Sequence, residues 1–339
     1  MIYSASSVWA EYKFNDQFRY LKLQLLFLIV GIVIMYSVSK VDYSIYKKKA
    51  NQIIMICFLL LILVLIPGLG VVRNGSRSWF SLGPISLQPS EISKLGLIIF
   101  VSKYLSNNQK DLRYIIKGVF PIISMIMLTF GLIMLEPDFG TGVVLVMSVF
   151  SIIFISGVKL SFFGTIGIFG ILMVVVLIII APYRMARIVS FIDPWKDPLG
   201  SGFQIIQSLY AIGPGGLLGQ GLFSSRQKHF FLPEPQTDFI FSIISEELGF
   251  IGVLIVTTLF FIIFYRSLKI SLSCNDLFAK YLSFGLSFGL LFQAILNLSV
   301  VVGLIPVTGV TLPFLSYGGS SLLVSMISIG IILNISRNR

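Results

Sequence analysis

Long apolar runs separated by short polar segments set the pattern of this chain. A helix that crosses a membrane needs about 20 mainly apolar residues, because each residue rises about 1.5 Å through a hydrocarbon layer about 30 Å thick. Runs that fit, or nearly fit, are 20–39, 50–72, 90–105, 115–135, 141–158, 161–182, 239–265, 277–302 and 318–335. Nine spans are therefore predicted, the third being short and opening with charge. Glycines and prolines inside them suit a bundle, where neighbouring helices satisfy freed backbone groups. The pattern predicts an all-α polytopic membrane protein, with 1–339 forming a single integral membrane domain.

The first residues, MIYSASSVWAEYK, read as the outer end of a helix whose apolar body is absent. They lack the basic and apolar regions of a signal peptide. The expectation is a missing first span, giving ten in the intact protein.

Composition agrees with the pattern. The chain is 56% hydrophobic and 12% charged, about half the usual 25% charged share of soluble domains. Such a surface excludes a set of water-soluble domains, and the aliphatic content excludes disorder. Of the two cysteines, Cys57 lies in an apolar run and Cys274 in a polar loop, so no bridge is expected. His229 is the one histidine, which argues against a His-based metal site or proton relay.

A net charge of +11 would suggest nucleic acid in a soluble protein. Here the basic residues gather in alternate loops: Lys40, Lys47, Lys48 and Lys49; Lys103, Lys110, Arg113 and Lys117; Lys159; Arg266, Lys269 and Lys280; Arg337 and Arg339. The positive-inside rule puts all of these on the cytoplasmic side, the C-terminus included, and leaves no role for nucleic acid. Segments 73–89, 136–140, 183–238 and 303–317 then face outward.

Carboxylates fall mainly on that outer side: Glu11, Asp16, Glu91, Glu136, Asp138, Asp193, Asp197, Glu234 and Asp238, with Glu246 and Glu247 two turns into the next helix. A carboxylate-using site would face outward. Loops this long are usually functional when they are not disordered, which singles out 183–238 before the 239–265 helix. A helix is predicted near 202–212, with Phe203, Ile206, Leu209 and Tyr210 on one face, Gln204, Gln207 and Ser208 elsewhere, and Gly213 as the stop. It suits the membrane interface, where it would guide a lipid, and equally the protein's own outer face.

GPGGLLGQG (213–221) lacks the GK[ST] ending of a nucleotide loop. Close backbone packing or a diphosphate-binding nest both remain. Ser225–Lys228 matches S-x-x-K, but no K-[ST]-G follows, so a serine transpeptidase is excluded. Arg226 and Lys228 read as anion contacts or solvated charge. Inside the spans, Glu91 and Lys94 stand at i,i+3 and can neutralise each other.

Four segments together carry a resemblance: NGSRSWFSLGPISLQPSEISK (74–94), LEPDFGTG (135–142), the stretch 197–250 containing LPEPQTDF, and GLIPVTGVTLPFLSYGGSS (303–321). They resemble the SEDS family (shape, elongation, division and sporulation) of RodA, FtsW and SpoVE over essentially the whole chain. NGSRSW and LPEPQTDF are most similar to the FtsW/SpoVE branch. The resemblance implies a bundle of ten transmembrane helices and a peptidoglycan glycosyltransferase. That enzyme polymerises lipid II through β-1,4 linkages on the outer face of the bacterial plasma membrane and releases undecaprenyl diphosphate. It implies a class B penicillin-binding protein as partner, alongside other cell-wall synthesis and division proteins. It also implies Asp238, in TDFIF, as the catalytic residue, with Trp79, Arg77, Glu91 and Lys94 at family positions. The family often has Arg directly before Trp, whereas here Ser78 intervenes.

The chemistry supports the same residues. Joining two sugars requires a base that takes the acceptor hydroxyl's proton, a contribution of typically about 10²–10⁴-fold. Asp238 ends the long outer loop where a helix begins; N-capping, with Thr237, is its other available role. A doubly anionic leaving group calls for cations: Arg226, Lys228, Lys94, Arg77, or a Mg²⁺ or Mn²⁺ ion. Glu234 joins these as a substrate-binding candidate. No other cofactor is implied. Two rivals stand beside the enzyme: a lipid II flippase, which needs a polar path across the spans, and a non-catalytic anchor for the penicillin-binding protein, which would tolerate loss of Asp238.

Overall fold

The computed structural model describes residues 1–73, 75–83 and 85–338; Asn74 and Pro84 of the first motif, and the basic residue Arg339, lie outside the described residues. The chain divides into two units. One combines Met1–Leu23, Lys159–Leu259 and Ala294–Tyr317; the other combines Gln24–Val158, Phe260–Gln293 and Gly318–Arg339.

The structure is mostly helical, and among the described residues seven helices are long and apolar enough to cross a membrane. They are α2 (Arg19–Lys40), α3 (Ser44–Leu65), α5 (Phe120–Leu135, counted from Lys117), α7 (Leu160–Ile180), α10 (Ile240–Leu272), α11 (Leu277–Val301) and α12 (Gly319–Arg337). Two further predicted spans are helices as well. The first, α4 (Pro89–Asn107), carries Glu91, Lys94 and Lys103; the second, α6 (Phe139–Ile155), is only 17 residues long. The opening residues form α1 (Ile2–Phe14).

In the second unit α4 packs against α3 and α6. Leu97, Ile98, Ile99, Val101 and Leu105 are buried on it, as are Val149, Ile152 and Ile153 on α6. The polar Ser90, Glu91, Ser93, Lys94 and Ser102 of α4 are buried with them. The predicted span 50–72 lies earlier in the chain than expected: α3 begins at Ser44 and stops at Leu65, before Pro67, Gly68 and Gly70. The chain then forms an antiparallel meander, β1 (Val71–Arg73), β2 (Ser76–Leu82) and β3 (Ile85–Leu87), in the order β1-β2-β3.

In the first unit, α7 is exposed and apolar along its length, Phe162 being its one buried residue. It is followed by α8 (Pro182–Ile192), an amphipathic helix, and then α9 (Phe203–Ile212) at the predicted place, ending at Gly213. The buried face of α9 differs from expectation. Ile205, Ile206, Ser208 and Ala211 are buried, while Leu209 and Tyr210 are exposed. Ser208 turns inward because its hydroxyl has partners there, the Val301 carbonyl at 2.7 Å and Ser242 Oγ at 2.8 Å. Asp193 and Asp197 shape turns between the two helices. Asp193 accepts from the Trp195 N–H, and the Ser201 N–H and hydroxyl hold the Asp197 carboxyl below the usual range.

Candidate functional site

Helix α10 is broken at Gly249, whose φ of 62° and ψ of −160° are non-helical. A break exposes carbonyls and N–H groups that an intact helix would pair. The glycine loop 213–221 takes up both sets. Gln220 N–H donates to the Glu246 carbonyl at 2.9 Å and Gly221 N–H to the Glu247 carbonyl at 3.0 Å. In return, Phe250 N–H donates to Gly216 O at 2.9 Å and Ile251 N–H to Leu217 O at 3.2 Å. Two helical hydrogen bonds are thus exchanged for four to the loop. Gly219 (φ 78°) touches the Glu247 carbonyl so closely that any Cβ would overlap it. Backbone packing is therefore the loop's role at these residues. The N–H groups a diphosphate nest would need at Gly219, Gln220 and Gly221 are already donated, the first to Gly215 O.

Beside the break lies a buried polar cluster. Ser225 Oγ donates to Glu246 Oε2 at 2.5 Å, and Arg226 N–H donates to Glu246 Oε1 at 2.8 Å. Lys228 Nζ reaches Glu247 Oε1 at 3.5 Å, Ser4 Oγ at 3.4 Å and the Phe223 carbonyl at 2.6 Å. Ser4, from α1, also donates to Glu247. Lys228 is buried and its donors are engaged, so it fastens the loop and α1 to α10 rather than reaching outward. Arg226 and Glu234 have exposed side chains.

Asp238 precedes α10 and is half-buried. Its backbone is held from two other elements. Asn297 of α11 donates Nδ2–H to the Asp238 carbonyl at 2.7 Å and to the Val310 carbonyl at 2.8 Å. Ser316 donates to the Thr237 carbonyl at 2.6 Å while accepting from Leu312 N–H at 2.9 Å, and Tyr317 N–H donates to Gln236 O at 2.8 Å. Carboxylate oxygen Oδ2 of Asp238 faces Gly309, 3.8 Å from where a Cβ there would stand. Thr237 turns its hydroxyl back to the Glu234 carbonyl, at 2.9 Å. The loop 303–317 is pinned further along, where Arg187 of α8 donates to Val307 O at 3.0 Å.

The other candidates belong to the second unit. Glu91 and Lys94 form a buried ion pair of 2.9 Å, and Lys94 Nζ also donates to Gln293 Oε1 at 2.6 Å. Gln293 in turn contacts Ser321 Oγ at 3.4 Å. Arg77 and Trp79 pair with Val72 and Val71 across β1. One step from Val72 to Val71 on β1 matches two steps from Arg77 to Trp79 on β2, so Ser78 is an extra residue at an irregularity in the ladder. The Ser76 and Ser78 hydroxyls are 2.9 Å apart. Arg77 donates to the Leu65 carbonyl at 3.3 Å, capping the end of α3, where a cation meets the negative end of the helix dipole. Trp79 lies under the Arg73 guanidinium, 5.6 Å from its ring centre.

Nearby, Asp138 caps α6 through Thr141 N–H at 3.2 Å and accepts from Gln88 at 2.9 Å and Ser90 at 3.0 Å. Glu136 follows α5 and is fully buried; its carbonyl accepts from Ser76, but its carboxyl oxygens have no hydrogen-bond partner among the described residues. Burial, with the Asp138 charge beside it, pushes the Glu136 carboxyl up to about 9. Among the described residues, no three His, Cys, Asp or Glu side chains converge to hold a metal ion.

Asn297, Ser316, Gln293 and Glu136 are the residues that sequence reasoning passed over for roles at these sites. The available signal was polar but mostly uncharged: Gln293 and Asn297 interrupt the apolar run 277–302.

The whole chain, residues 1–339, matches the model of the cell cycle protein family of FtsW, RodA and SpoVE. It is 50% identical over 337 residues to stage V sporulation protein E of Bacillus subtilis, covering 99% of this chain and 92% of that one. It is 42% identical over 336 residues to the probable peptidoglycan glycosyltransferase FtsW of Trichlorobacter lovleyi, covering 99% and 88%. A solved structure described as coordinating polymerization and crosslinking by a peptidoglycan synthase complex has a chain with a TM-score of 0.79 and 33% identity, covering 95% of this chain and 90% of that one. The chain belongs to the FtsW/RodA/SpoVE family.

Proposed function

We propose that this protein is a multi-pass membrane glycosyltransferase that polymerises lipid II into β-1,4-linked glycan strands and releases undecaprenyl diphosphate. The observation that carries the reading is the placement of Asp238, in the family's TDFIF motif, ahead of α10, with its carbonyl tied to Asn297 and the preceding Thr237 carbonyl tied to Ser316. A carboxylate fixed in this way is suited to take the proton from the 4-hydroxyl of an acceptor GlcNAc. That hydroxyl attacks C1 of the lipid-linked MurNAc donor from the opposite side, with inversion, and the diphosphate leaves.

The exposed Arg226 and the half-buried Arg77 are the cations proposed to meet the diphosphate. Trp79 and Glu234 are proposed to contact the sugars, and the Glu91–Lys94 pair to order the polar interior of its unit. Lys228 contributes by holding the loop that carries Arg226.

In this reading residues 1–339 act as one integral membrane domain with nine spans, α4 and α6 joining the seven helices that are both long and apolar enough to cross. The loop 183–238 and its α9 lie at the outer face, the C-terminus is cytoplasmic, and polyprenyl chains occupy grooves between helices. A class B penicillin-binding protein is the proposed partner. Division or sporulation is the proposed setting, on the strength of the similarity to stage V sporulation protein E and FtsW.

The test is incubation of the purified protein, with its cognate class B penicillin-binding protein, with labelled lipid II. Glycan polymer on a gel supports the proposal. Transfer of lipid II across vesicles without polymer would instead favour a flippase.

A further inference from the structure

We propose that Asn297 is a positioning residue for the glycosyl transfer, acting through the backbone of Asp238. The inference rests on the reading of Asp238 as the base. Asn297 is 1% exposed, so its amide is committed to what it touches inside the protein. Both contacts are backbone carbonyls, Asp238 at 2.7 Å and Val310 at 2.8 Å. Carbonyls only accept hydrogen bonds, so the orientation with Nδ2 toward them is the one that pairs. A single side chain thereby ties the residue before α10 to the loop facing its carboxylate.

The arrangement is selective. Val310 directly follows Gly309, the residue facing Asp238 Oδ2, and φ is 78° at Gly309. Asn297 therefore sets the separation between the carboxylate and the backbone opposite it. Ser316 makes the parallel tie one residue earlier, from the Thr237 carbonyl to Leu312 N–H. Catalysis by a fixed base is steeply sensitive to such placement; a displacement of about 1 Å costs about 10²-fold. Isosteric Asn297→Asp replaces the donor with an oxygen that repels both carbonyls, and Asn297→Ala removes it.

The experiment measures kcat and KM for lipid II with the full complex, using wild type, Asn297→Ala, Asn297→Asp, Ser316→Ala and Asp238→Ala, alongside thermal melting. The expected result is a fall in kcat of about 10–100-fold in the Asn297 variants, with KM within about twofold and melting retained. If the Asn297 variants do not fold, Ser316→Ala is judged by the same criteria. Unchanged kcat in folded variants, with Asp238→Ala inactive, would overturn the proposal and leave the base in place. Polymer from Asp238→Ala at the wild-type rate would overturn the reading of Asp238 itself.

Discussion

Lys228 Nζ stands 3.5 Å from Glu247 Oε1 where solvent reaches 6% and 0% of the two side chains. The ammonium pairs with Glu247, while the neighbouring Glu246 is held by the Ser225 hydroxyl and the Arg226 N–H. Removing one partner of a buried pair leaves an uncompensated charge, at a cost of about 3–5 kcal/mol. Lys228→Met is expected to lower the melting temperature sharply. Adding Glu247→Gln in the same chain should recover much of the loss, read by melting in a double-mutant cycle. Equal destabilisation by the single and double variants would contradict the pairing.

Glu136 has its carboxyl pushed up to about 9 from an ordinary 4.5, so the folded protein keeps a proton that the unfolded chain releases. Between those values the folded state binds more protons, and stability falls as pH rises. The stabilising effect is complete below about pH 4.5 and is lost on passing about pH 9. Melting at pH 6 and pH 9 should show wild type losing more stability than Glu136→Gln. Parallel losses would place the carboxyl in contact with water or a cation.

Gly249 combines a φ of 62° with a close approach to the backbone of Leu217 and Gly219. Gly249→Ala is expected to cost at least about 1–3 kcal/mol for the backbone conformation, with overlap added. The measurement is folded yield and melting. A fully stable Gly249→Ala would mean that the loop does not exchange hydrogen bonds with α10.

Much of this structure was legible in the chain because membrane helices announce themselves by length and hydropathy. The α9 helix, the Gly213 stop and the Glu91–Lys94 pair follow from local spacing of three and four residues. The meander at 71–87 did not, because β2 reads S-R-S-W-F-S-L, an alternation too short and polar to stand out beside a loop. Nor did the break at Gly249. A lone glycine in an apolar helix looks harmless until the loop 30 or so residues earlier is known to replace its hydrogen bonds. Asn297 escaped for a related reason: a search for charge inside spans passes over an amide whose partners are carbonyls of residues far away in sequence.

Asp238 is the centre of the account, and Asp238→Ala tests it most directly. Wild type and variant, each with its penicillin-binding protein, are compared for lipid II binding and for glycan polymer from the same preparation. Binding is expected to stay within about twofold and polymerisation to fall by at least about 10²-fold, the scale of general-base catalysis. Polymer at the wild-type rate from Asp238→Ala would contradict it.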